Sequence, residues 1–191
     1  MRKIQIIAMF VILLCVCVGC TNYAEEYSEN TIVVKKSGRI VEVAVEDYKD
    51  TKVKAEDLTA YISEQIQAYN EENGRNAVKQ KDLMTEDMSK VKLVLQYKGI
   101  DDYNGFNSLD CKLIDYTEAE KDLLSGSFKN PDGKAVKKSD FKDVEGTKVL
   151  VMSEKTNIVL KGKIRYYNSQ VTVKNGVITT SGKKDAIIIF K

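Results

Sequence analysis

The sequence predicts an α+β fold: an antiparallel sheet packed by one long and one or two short helices, with a β-rich C-terminal region. Three observations point to it. Residues 55–73 carry apolar side chains at helical spacing, residues 31–47 and 90–98 alternate with the period of strands, and after Gly146 short apolar runs recur between Gly, Asn, Ser and Lys.

In TIVVKKSGRIVEVAVEDY, two β-branched runs flank Lys36-Ser37-Gly38, the pattern of an antiparallel hairpin. On its second arm Val41, Val43 and Val45 share one face and Glu42 and Ala44 the other, which predicts a half-buried strand. Ala55 to Asn73 places Leu58, Ile62, Ile66 and Tyr69 at spacings of four and three, and Asn73-Gly74 supplies a stop, so an amphipathic helix is expected there. Glu64, Gln67, Asn70 and Glu71 read as its solvated face. Lys90 to Lys98 reads as a strand with Val91, Leu93, Leu95 and Tyr97 on one side, followed by a short helix or turn at 101–108 and a strand at 112–115. Thr117 to Leu124 reads as a capped helical turn, because Glu120 lies three residues after Thr117. Asn130-Pro131-Asp132-Gly133 is a turn in which proline presets one dihedral and glycine relieves another. Strands are expected at 148–152, 157–160, 163–167, 170–174, 177–180 and 186–190, arranged as a meander or small roll, with Asn175-Gly176 as a two-residue hairpin turn.

The first twenty residues have another character. Arg2 and Lys3 precede an apolar run of 13 residues, Ile6 to Val18, which ends at Gly19-Cys20. That is the layout of a secretory signal, and it is shorter than the roughly 20 residues of a membrane-spanning helix. The segment Cys17-Val18-Gly19-Cys20 resembles the lipobox of bacterial lipoproteins, with Cys17 standing where a branched residue is usual. The resemblance implies cleavage after Gly19, attachment of lipid (diacylglyceryl and acyl chains such as palmitate) to Cys20, and a location on the extracytoplasmic face of the cell membrane. The expected division is therefore 1–19 signal peptide, 20–30 lipidated Cys and acidic tether, and 31–191 a single α+β domain, with 147–191 as a candidate β-rich subdomain. TNYAEEYSEN, residues 21–30, has no periodic apolar face, and ten such residues would average about 20 Å of reach as a coil. The order of leader, acidic tether, hairpin, helix and β-rich end is similar to that of small uncharacterised lipoproteins of Gram-positive gut bacteria, a resemblance that implies no activity.

Removing residues 1–19 from 191 leaves 172, enough for one domain with a core of its own. The formal charge of +2 resides in Arg2 and Lys3 of the leader, so the mature chain is neutral, and its charge says nothing in favour of nucleic acid or anionic lipid as partner, both of which call for clustered excess basic charge. Of the four cysteines, Cys15 and Cys17 leave with the leader and Cys20 carries lipid. Cys111 remains, without a disulfide partner, and is expected to be a buried small hydrophobe. The absence of His excludes serine–histidine hydrolases, papain-like enzymes and typical zinc enzymes.

Asp101, Asp102, Asn104 and Gly105 suggest a calcium loop, but in that register the first ligand position is Ile100 and the twelfth is Cys111. No glycine-rich phosphate cradle can be written from the eleven glycines. No cofactor and no metal are expected. Paired carboxylates stay open, since 28 acids are present and glycosidase-type chemistry needs two at the right separation. Tyr97, Tyr103 and Phe106 form one aromatic group and Tyr166 and Tyr167 another. Core packing is one reading; the other is an exposed aromatic binding surface, with Tyr166, Tyr167 and Tyr103 as candidates.

The function expected is that of a membrane-tethered extracytoplasmic lipoprotein acting as a non-enzymatic binding or interaction module at the cell surface. Its partners would be the membrane, through the lipid on Cys20, and a cell-wall polymer or envelope protein, with no nucleic acid. The alternative is a small cell-envelope enzyme using paired carboxylates. A transporter's solute receptor comes third, because two lobes normally need a longer chain.

Overall fold

The computed structural model describes residues 22–48, 52–85, 89–174 and 176–191. It is an α+β structure of two sheets. Helix α1 spans Tyr23–Glu26, α2 Ala55–Asn73 and α3 Ile100–Asn107. Strands β1 (Thr31–Val34), β2 (Ile40–Asp47), β3 (Val78–Met84), β4 (Lys90–Tyr97) and β5 (Lys112–Asp115) come from the N-terminal half. They are followed by the two-residue strands β6 (Phe128–Lys129) and β7 (Ala135–Val136). Then come β8 (Lys148–Met152), β9 (Asn157–Leu160), β10 (Ile164–Asn168), β11 (Val171–Lys174), β12 (Val177–Thr180) and β13 (Ala186–Phe190).

The first sheet has the order β11-β12-β9-β1-β2-β4-β3, antiparallel throughout except that β1 runs parallel to β9. The second sheet, β5-β8-β13-β10-β6-β7, is wholly antiparallel. The six expected C-terminal strands all form, but they do not make a meander or a separate subdomain. β9, β11 and β12 join the hairpin β1–β2, whereas β8, β10 and β13 build the centre of the other sheet.

The sheets share the largest core, in which Ile32, Val34, Ile40, Leu95 and Tyr97 of the first meet Leu150, Met152, Ile188 and Phe190 of the second. Side chains of the opposite register face outward and are covered as well. Val149, Val151, Ile187 and Ile189 pack beneath Leu124, Phe128 and Phe141, contributed by the segment between β5 and β8. All five residues of β13 are buried, and this accounts for its unbroken run AIIIF: a strand covered on both faces has no position for a polar side chain. Each such aliphatic side chain contributes about 1.5–3 kcal/mol by leaving water.

The outer face of the first sheet departs from expectation. Val33, Val41, Val43 and Val94 lie there under Ala24, Tyr23 and Tyr27, so residues 22–30 are packed against the domain instead of forming a free tether. Ala24 is fully buried, Lys92 Nζ donates to its carbonyl at 2.7 Å, and the Val45 amide donates to Asn30 Oδ1 at 2.6 Å. One small apolar residue flanked by two tyrosines is enough to close a valine stripe, a pattern too short to register as periodicity. The valine face of β2 is thus a minor core, and Glu42 faces the major one.

Thr117–Leu124 also differs. A 3₁₀ turn forms at Tyr116–Glu118, one residue early, with the Ala119 amide bonded to the Tyr116 carbonyl, because Tyr116 and Leu123 pack against the second sheet. The turn at 130–133 is as expected: the Gly133 amide donates to the Asn130 carbonyl at 2.9 Å and Gly133 has φ of 78°.

Candidate functional site

β1 and β9 end side by side, Val34 opposite Leu160, and each is followed at once by lysine: Lys35-Lys36 and Lys161-Gly162-Lys163. The Lys161 amide donates to the Val34 carbonyl at 3.1 Å, tying the two exits together. Across from them Lys163 and Lys191 exchange backbone hydrogen bonds of 2.6 and 2.9 Å. Gly162 is needed at this crossing, since a Cβ there would lie 2.7 Å from the Lys191 carbonyl oxygen and 3.0 Å from the Phe190 ring. Between the two sheets these exits leave a groove of about 730 Å³ with Val34, Leu113 and Phe190 among its apolar lining residues.

Six lysines line the groove (Lys35, Lys36, Lys148, Lys161, Lys163 and Lys191), and no acidic side chain does. Three of the six have partners. Lys148 pairs with Asp115 at 2.9 Å, Lys191 Nζ donates to the Glu145 carbonyl at 3.2 Å, and Lys35 Nζ sits 5.4 Å above the ring of Tyr23. Among the described residues Lys36, Lys161 and Lys163 have no ion-pair partner, and all three are exposed. A concave apolar surface ringed by uncompensated ammonium groups concentrates positive potential and attracts anions that also carry an apolar portion. Overall neutrality hid this feature, because the compensating acids lie elsewhere.

A second polar cluster lies between the sheets. Tyr97 OH donates to Glu42 Oε2 at 2.5 Å, and Asn107 Nδ2 reaches Tyr97 OH at 3.1 Å and Glu42 Oε2 at 3.4 Å. Tyr103 OH donates to Glu154 Oε2 at 2.8 Å, and the rings of Tyr97 and Tyr103 meet edge to face at 5.2 Å. Both carboxylates line a cavity of about 180 Å³ together with Thr31, Lys155 and Thr156. Burial pushes the Glu42 carboxyl above the ordinary carboxylate range, the hydrogen bond from Tyr97 opposes this, and the charge of Glu154 adds to it. Burial and the neighbouring Glu42 raise Tyr97, so its hydroxyl stays protonated as a donor. Each carboxylate already accepts a tyrosine hydroxyl, which is the arrangement of a satisfied structural network.

The three tyrosines considered for an exposed binding surface are all buried: Tyr103 is 1% exposed, Tyr167 5% and Tyr166 9%. Tyr166 and Tyr167 do point to opposite faces of β10, but both faces of the second sheet are covered. Tyr167 belongs to the shared core, while Tyr166 stacks on Phe141 at 4.1 Å and its hydroxyl accepts the Lys142 amide at 2.8 Å. Tyr103 packs against Tyr97, and Phe106 contacts Tyr69 and Tyr97. Cys111 is a free, buried thiol whose pKa is raised by that burial. Gly19 and Cys20 lie outside the described residues.

Among the described residues no group of three or more Cys, Asp or Glu is placed to hold a metal ion, and no helix is long and apolar enough to cross a membrane. Comparisons with family models, curated proteins and solved structures find no significant match.

Proposed function

We propose that the protein is a membrane-tethered extracytoplasmic lipoprotein whose domain is a non-enzymatic binding module, and that the lysine-rimmed groove is its binding surface. The observation that carries this reading is the composition of the groove: apolar residues, six lysines and no acidic side chain. Such a site fits an anionic amphiphile, whose charged end meets Lys36, Lys161 and Lys163 while its apolar part covers Phe190 and Leu113. Addition of dodecyl phosphate to the protein in neutral detergent is expected to slow acylation of these three lysines several-fold, read by mass spectrometry, and to leave Lys155 and Lys183 unchanged. Equal labelling of all five with and without the amphiphile would remove the groove as a binding site.

The tether rests on the leader. One acyl chain gives marginal attachment, whereas two or three on Cys20 hold a protein at the membrane stably. Cys20→Ala is therefore expected to shift the protein from the detergent-extracted membrane fraction to the medium or to an uncleaved precursor. A cleaved Cys20→Ala protein that stayed membrane-bound even in about 1 M salt, where attraction of the groove lysines to lipid is screened, would rule out lipid on Cys20 as the anchor. The second reading, a small envelope enzyme, is favoured by the convergence of Glu42 and Glu154 on the Tyr97–Tyr103 pair. Against it stands the commitment of both carboxylates to tyrosine donors.

A further inference from the structure

Two features of the described N-terminal segment bear on what the groove meets. Residues 22–30 are docked on the first sheet through Ala24, so the expected reach of a free tether is absent and the domain begins almost at Cys20. Three Cα steps separate Cys20 from Tyr23, a span of about 11 Å at most. Tyr23, in turn, carries the ammonium group of Lys35 over its ring at 5.4 Å, and Lys35 lines the groove.

We propose that the groove is turned toward the membrane and binds the phosphate headgroups of anionic phospholipids in the leaflet that holds the chain. The inference rests on the lipid anchor at Cys20 and on the groove as the binding surface. The short covalent link keeps the lysine rim within reach of the headgroup layer, where the local concentration of lipid phosphate is set by the membrane itself. Charge complementarity selects the occupant: three exposed, unpaired ammonium groups beside an apolar floor match a phosphate at the boundary with hydrocarbon. Each lysine near an anionic surface contributes about a fivefold preference. The headgroup would thus act as a second point of attachment that fixes how the domain stands on the membrane, with the opposite end of β9 facing away.

The test uses the mature protein in vesicles, either of phosphatidylcholine alone or of phosphatidylcholine with phosphatidylglycerol. Acylation of Lys36, Lys161 and Lys163 is expected to fall about fivefold in the anionic vesicles, while Lys155 and Lys183, at the far end of β9, label equally in both. Raising the salt to about 1 M, where the screening length is near 3 Å, should restore labelling. In the double variant Lys161→Gln with Lys163→Gln, the protection of Lys36 should be lost; full protection there would place its cause outside the groove and overturn the proposal. Inorganic phosphate added to the neutral vesicles should give no protection. If it protects as well as the anionic lipid does, the groove is a soluble-phosphate site and the membrane-facing arrangement is overturned. The same digest reports lipid on Cys20. Protection without that lipid would retire the anchor and keep the headgroup site. A lipidated chain whose groove lysines label alike in both vesicles would keep the anchor and overturn the inference.

Discussion

Tyr97→Phe is expected to destabilise the domain by about 1.5–3 kcal/mol in urea unfolding at neutral pH, because it removes the donor from a carboxylate that water only partly reaches. Tyr97 is fully buried, and its hydroxyl is the closest partner of Glu42. The pH dependence separates this effect from simple loss of packing. The folded state holds the Glu42 proton more tightly than the unfolded chain does, since its pKa is raised. Stability from this group is therefore fully present below the unfolded value near 4.5 and is lost as pH rises through the raised folded value. In Tyr97→Phe the pKa should climb further, and the loss should extend to higher pH. In Glu42→Gln the amide oxygen still accepts the Tyr97 hydroxyl, the charge is gone, and this part of the pH slope should vanish. An unchanged slope in Glu42→Gln would mean that Glu42 ionises in the folded protein as freely as in the unfolded chain.

Local features of this fold were legible where each element carried its own punctuation. α2 ends at Asn73 because Gly74 follows with φ of 99°, and the hairpin of β11 and β12 closes with Lys174 opposite Val177 around Gly176, φ 79°. The partners of the strands were not legible. Nothing local tells Asn157–Leu160 to lie parallel to Thr31–Val34, across more than a hundred residues, and that pairing is what divides the C-terminal strands between two sheets. β3, with sequence VKQKDLM, lacks alternation because it is an edge strand whose middle is exposed. The groove has no local signature in the sequence for a related reason. Lys35-Lys36 and Lys161 to Lys163 are unremarkable pairs in a neutral chain until the parallel register of β1 and β9 brings them to one rim. Adjacent residues of a strand point to opposite faces, as Tyr166 and Tyr167 do, but which faces of a strand are covered depends on segments far away, here 116–144 and the first sheet.

Asn70, which reads from the sequence as part of a solvated helix face, is expected to be among the most costly polar positions in the protein. β3 is the outer strand of the first sheet, so its outward backbone groups have no neighbouring strand. At Val78, which is 1% exposed, Asn70 supplies that neighbour: its Nδ2 donates to the Val78 carbonyl at 2.9 Å and its Oδ1 accepts the Val78 amide at 2.9 Å. The same device recurs at the other sheet, where Asn104 of α3 bonds both the amide and the carbonyl of Cys111, immediately before the edge strand β5. An asparagine side chain presents a donor and an acceptor in the spacing of a peptide group, so each helix caps one strand edge. Within α2, Ile62 is the buried side chain, and the Asn70 clamp therefore carries much of the attachment of that helix. Asn70→Ala should leave two buried backbone groups unpaired and cost about 2–4 kcal/mol, whereas Gln67→Ala, on the exposed face, should stay within about 0.5 kcal/mol. Hydrogen exchange gives a local check, since in Asn70→Ala the Val78 amide should open by local fraying, whereas the amides of β8 and β13 should lose only what global stability loses. If Asn70→Ala cost no more than Gln67→Ala, water would be replacing the clamp, and the helix would be held by Ile62 and its partly buried neighbours alone.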